Sequence, residues 1–209
     1  MTLAPNPTYF TIFSLPAHLV IDLPALEKSF YSLSRRLHPD RFAARSAEEQ
    51  DAALAESSRL NDAYRTLKDP IARTEYLLKL EGVELEEQSK SATEAARASG
   101  TAKKQIVPED MLEEAFELNM QLEEMRAAKK MGEDDPQLRG DLLSAKAGFD
   151  ARMSATQAEL ESLWAKWDAA FDAAAAPAKL AIRDAMVALL NRRSYLRNLV
   201  RDVNEALES

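Results

Sequence analysis

Two of the 209 residues are histidines, and one of them stands in the run His38-Pro39-Asp40. An imidazole and a carboxylate two residues apart could serve as a general base and its orienting partner. Catalysis by such a pair needs a pocket with further converging groups. The chain has no Cys, no Gly-rich phosphate loop and no cluster with metal-ligand spacing. We therefore expect no enzyme activity, no metal site and no cofactor. The same three residues suit a binding loop better. Pro39 fixes its own φ and lacks an N–H, so the loop is stiff. Stiffness lowers the entropy lost in presenting His38 and Asp40 together. Taken alone, the tripeptide is more often an ordinary helix stop and turn.

Charge narrows the partner. The chain holds 35 Asp and Glu against 27 Lys and Arg. That balance argues against general nucleic-acid binding, which needs a basic face. Yet residues 26–45 carry five bases (Lys28, Arg35, Arg36, Arg41, Arg45) and two acids (Glu27, Asp40). A positive patch on an acidic protein suits an acidic partner, although a solvated helix face would look the same.

The elements that must hold this loop are helical. Only 5 residues are Gly while Ala, Leu and Glu abound, and 46% of the chain is hydrophobic, enough for a packed core. Tyr9-Phe10-Thr11-Ile12-Phe13-Ser14-Leu15 is aromatic and apolar until Pro16 breaks it, as a strand or a short buried helix would be. Asp22 is placed to cap a helix with Pro24 in its first turn. Leu26, Phe30, Leu33 and Leu37 then form one face. Pro39 disfavours helical geometry at His38, so that helix should end there. Ser46 and Glu49 predict a capping box for a second helix reaching about Lys68, with Leu54, Leu60, Ala63, Tyr64 and Leu67 towards the core. Asp69-Pro70 ends it, and a short helix over 71–80 is closed by Gly82.

The remainder is helical as well. Residues 1–8 read as a flexible lead-in and 84–107 as a linker poor in large apolar side chains. Pro108 opens a helix to about Lys130, and Gly132 to Pro136 is a turn in which Asp135 can cap the next helix. Leu138, Leu142, Ala145, Phe149, Met153, Thr156, Leu160, Leu163, Trp167 and Phe171 recur at helical spacing. Pro177 starts another helix, with Ile182, Met186, Leu189, Leu196, Val200, Val203 and Leu207 on a heptad-like face and Arg193 in its polar slot. The expectation is an all-α chain of two domains: a small helical unit over 9–83 and a three-helix bundle or coiled coil over 108–209.

The small unit resembles a known family. Arg35-Arg36-Leu37-His38-Pro39-Asp40-Arg41-Phe42 looks like the helix end and HPD loop of a J domain. Leu60-Asn61-Asp62-Ala63-Tyr64-Arg65-Thr66-Leu67-Lys68-Asp69-Pro70 resembles that family's third helix and its terminating Asp-Pro. The opening run to Pro16, together with Arg73-Thr74-Glu75-Tyr76-Leu77-Leu78, narrows the resemblance to the HscB type. Leu112-Glu113-Glu114-Ala115-Phe116-Glu117-Leu118-Asn119 and Tyr195-Leu196-Arg197-Asn198-Leu199 resemble, with departures, the start and last helix of that type's C-terminal domain.

The resemblance implies a co-chaperone. His38, Pro39 and Asp40 would stimulate the ATPase of an HscA- or DnaK-type chaperone, with Arg35, Arg36, Arg41 and more distantly Lys28 steering it in. The C-terminal domain would hold an IscU-type iron–sulfur scaffold protein through Leu112, Phe116, Glu117, Met120 and Tyr195. Leu112, Phe116 and Met120 stack at i, i+4 and i+8, whereas Leu118, Leu122 and Met125 lie on another stripe fit for the core. A general J-domain co-chaperone delivering unfolded clients is the alternative. Some members of the family carry an N-terminal zinc-binding Cys cluster; a chain without Cys cannot. The first base is Lys28, so no signal-peptide start is read, and no apolar run reaches the ~20 residues of a membrane span. We expect a cytoplasmic monomer that binds neither membrane nor nucleic acid.

Overall fold

The computed structural model describes residues 7–42, 44–83, 108–133 and 135–208, and all regular elements among them are helices. The linker at 84–107 and all but Pro7 and Thr8 of the lead-in lie outside the described residues. The chain divides into two compact units, Met1–Leu85 with Trp164–Arg183, and Glu86–Leu163 with Asp184–Ser209.

In the first unit, α1 (Tyr9–Ile12) settles the opening run as a short helix, capped by Thr8. Helix α2 (Leu23–Arg36) starts where Asp22 Oδ1 accepts from the Ala25 N–H at 3.0 Å. A 3-10 turn (Pro39–Phe42) leads on to α3 (Ala47–Lys68). Ser46 and Glu49 exchange both hydrogen bonds of the capping box at the start of α3. Asp69 ends α3 and caps α4 (Pro70–Leu80), and Gly82 closes α4 at φ 80°, a left-handed angle that glycine adopts without a Cβ clash. Phe30 of α2 stacks on Tyr64 of α3 with ring centroids 4.1 Å apart. Phe10, Leu19, Leu26, Leu60, Ala63, Leu67, Leu77 and Leu78 are buried. One expectation fails: Leu54 is 59% exposed, and Ala53 one position earlier takes the core side of α3.

The last helices of the chain contribute to this unit too. Trp167 is fully buried and its indole N–H donates to the Ala17 carbonyl at 3.3 Å. Asp168 accepts from the Leu19 and Val20 N–H groups at 2.7 and 2.9 Å. His18 Nε2 lies 2.9 Å from Asp172 Oδ1. Lys179 pairs with Glu81 at 3.2 Å and sits over the Trp167 ring. Arg73 is buried, donating through Nε to Leu19 O at 3.0 Å and through Nη1 to Leu67 O. Burial lowers its pKa, against the opposing pull of Asp69 and Asp168. The two carboxylates make the buried guanidinium tolerable.

The second unit draws on α5 (Leu112–Met131), which comes after a 3-10 turn (Glu109–Met111), on α6 (Pro136–Asp172) and on α7 (Ala176–Glu208). Gly132 ends α5 at φ 75°, and Asp135 Oδ1 accepts from the Gln137 and Leu138 N–H groups, both at 3.0 Å, to start α6. Its core joins Met111, Leu118, Leu122 and Met125 to Leu138, Leu142 and Phe149 of α6 and to Leu196, Leu199 and Val203 of α7. On α7 the fully packed position is Leu190 rather than Leu189, which is only half-buried.

Candidate functional site: a basic helix end and an apolar stripe

The first candidate site is built at the end of α2. Arg35 and Arg36 occupy its last turn, where cations favourably meet the helix C-terminal dipole. Leu37 closes the helix by donating its N–H to Leu33 O at 3.0 Å. The chain then enters the 3-10 turn that contains Pro39 and Asp40. The Arg41 N–H donates to His38 O at 3.0 Å and the Arg45 N–H to Phe42 O at 2.8 Å, so consecutive turns fix the loop. The turn also packs against α3. Arg41 folds back, its Nη1 donating to Arg35 O at 3.5 Å. His38, Lys28, Arg35, Arg36, Arg41 and Arg45 are all exposed, and Phe42 is half-buried beneath them. The arrangement is a cationic rim around a short, hydrogen-bonded turn.

The second candidate site lies on α5. Leu112, Phe116 and Met120 are 53%, 69% and 60% exposed, while Ala115, Leu118, Leu122 and Met125 are buried. The helix thus carries two apolar stripes, one in the core and one facing solvent. A run of large apolar side chains left in water on a single helix face commonly marks a partner site. Glu117 is exposed beside the stripe. Tyr195 does not join this surface: it is 7% exposed and packed within the core of the second unit. Burial raises its pKa, with a further upward push from Asp202.

Sequence reasoning missed the side chains that hold the loop at 17–20: Trp167, Asp168, Asp172 and Arg73. Only the unusual Trp-x-x-Trp-Asp run at 164–168 hinted that this stretch does more than fill a helical stripe. Among the described residues no group of three or more His, Cys, Asp or Glu could hold a metal ion, and no helix is long and apolar enough to cross a membrane.

No family model matches the chain. In fold, the chain is similar to solved structures of helical co-chaperones. A solved structure of chaperone HscB from Vibrio cholerae matches with a TM-score of 0.57 and 26% identity, over 97% of this chain and 98% of that one. The human co-chaperone protein HscB matches with a TM-score of 0.61 and 22% identity, over 97% of this chain and 83% of that one. The likeness to the Vibrio cholerae protein spans nearly the whole of both chains and supports an HscB-type identification.

Proposed function

We propose that this protein is a co-chaperone in iron–sulfur cluster assembly. Its loop His38-Pro39-Asp40 engages an HscA- or DnaK-type ATPase, and its second unit delivers an IscU-type scaffold. The whole-length likeness to HscB chains carries this reading. The exposed arginines around the turn that follows α2 and the solvent-facing stripe on α5 are the two surfaces that support it. Asp40 is the charged acceptor, suited to an Arg on the ATPase. His38 donates or accepts at the edge of that contact. Arg35, Arg36 and Arg41, with Lys28 two turns back, raise the encounter rate with an acidic groove. On the scaffold side the anchors are Leu112, Phe116 and Met120, with Glu117 at the rim; Tyr195 acts from beneath by packing the helices that present them.

The test is steady-state ATP hydrolysis by the organism's DnaK-type chaperones, with scaffold present. Wild type should stimulate turnover, and Asp40→Asn should abolish the stimulation while leaving the fold intact. No stimulation by wild type of any such chaperone would sink the proposal. The general co-chaperone alternative predicts many unrelated proteins in a pull-down from native lysate, where the specific role predicts one small scaffold.

A further inference from the structure

A second feature of the second unit is a cavity of about 460 Å3 between α5 and α6. It opens on a different line of α5 from the Leu112–Phe116–Met120 stripe, since Glu114, Glu117 and Gln121 border it at spacings of three and four. Leu118, Ala145 and Phe149 form an apolar floor. Glu117 of α5 and Asp141 of α6 line it from opposite helices, and the one base in the lining, Arg152, is clasped in a two-bond pair by Glu114. The groove is left with surplus negative charge over apolar ground.

Gly148 also lines the groove, in the interior of α6, where glycine is less stable than alanine. A Cβ built there meets nothing within 4 Å, so no packing inside the chain requires the missing side chain. The space beside Gly148 in the groove is open.

We propose that this groove docks a basic segment of a partner protein. A Lys or Arg of that segment lays its methylene stem on Leu118, Ala145 and Phe149 and brings its cation to Glu117 and Asp141. Acid walls over an apolar floor complement a long cationic side chain and repel an acidic one. Glu117 borders both surfaces; otherwise the groove is separate from the apolar stripe and does not depend on the scaffold assignment.

The test is amide NMR of the full chain titrated at low ionic strength with a blocked peptide, Ala-Lys-Ala-Ala-Lys-Ala. The signals of Gln121, Ser144 and Gly148 should shift while those of Phe116 and Met120 stay. Asp141→Asn should weaken binding at least tenfold. So should Gly148→Leu, which fills the groove and leaves the melting temperature unchanged or higher. Gly140→Leu, on the same helix with equally open space but outside the groove, should bind as wild type. Added salt should weaken the complex. Four outcomes would each overturn the proposal: no shift at the groove up to millimolar peptide, shifts centred on Phe116, an equal response to Ala-Glu-Ala-Ala-Glu-Ala, or unchanged binding by Gly148→Leu.

Discussion

Truncating Phe116 to alanine should separate binding from folding. The side chain is 69% exposed, so only about a third of it contributes to the fold. Burying a whole Phe is worth roughly 1.5–3 kcal/mol, which leaves about 0.5–1 kcal/mol here. Alanine's better helix propensity returns about half a kcal/mol, so the net change in stability should stay within ~0.5 kcal/mol. Binding is a different matter. A Phe can bury on the order of 200 Å2, so roughly 140 Å2 is available to a partner. At ~25 cal/mol per Å2, and allowing for the alanine left behind, loss of that contact costs about 2–3 kcal/mol, or ~30- to 150-fold in Kd. Leu118, two residues on and 2% exposed, supplies the contrast: Leu118→Ala should cost ~2–5 kcal/mol of stability. Urea unfolding and calorimetric titration with an IscU-type scaffold read the two quantities. The reasoning is refuted if Phe116→Ala unfolds as early as Leu118→Ala, or if it binds the scaffold as tightly as wild type.

Three more outcomes are expected from the packing. Asp168→Ala leaves the Leu19 and Val20 N–H groups without their acceptor and removes a carboxylate that offsets the burial of Arg73. Urea unfolding should show a loss of about 2–4 kcal/mol, and hydrogen exchange at Leu19 should accelerate; a loss below ~0.5 kcal/mol contradicts the anchoring role. Ser46→Ala removes the side-chain half of the α3 capping box, the hydroxyl that accepts from the Glu49 N–H, and should cost roughly 1 kcal/mol, while Ser46→Asp retains most of the stability. Burial raises the pKa of Tyr76 and Tyr195, so both phenols are held protonated in the fold. Their contribution is intact below the ordinary tyrosine value of ~10 and is lost as pH rises past it, because the unfolded chain releases those protons first. Absorbance titration near 295 nm should show a late-ionising fraction of the five tyrosines in the folded protein, and one common step in folded and unfolded chain would contradict this.

The features legible in the sequence are those that local chemistry determines. Asp22, Ser46 with Glu49, Asp69-Pro70, Gly82, Gly132 and Asp135 all start or stop helices where their side chains or backbone freedom dictate. The two stripes of α5 are legible because spacing alone puts Phe116 and Leu118 on different faces. Spacing does not say where the core lies once several faces compete, so it favours Leu54 where the fold buries Ala53, and Leu189 where the fold buries Leu190. Tyr195 reads as a surface partner from its motif, yet its ring has an apolar body that the helical core absorbs. The hydrogen bonds from Asp168 and Trp167 join residues about 150 positions apart, and no periodicity reports such pairs.

Those distant partners also bear on how the chain is made. The first unit includes Trp164–Arg183 as well as the chain's opening residues, and Asp168 holds backbone N–H groups 148 and 149 positions earlier. A ribosome adds roughly 5–20 residues per second. Once Val83 has been joined, Arg183 arrives on the order of 5–20 seconds later, and until then the loop at Leu19 waits without its carboxylate. Completion of the amino-terminal unit is thus a late event in synthesis, a window in which its apolar residues lie open to other chaperones.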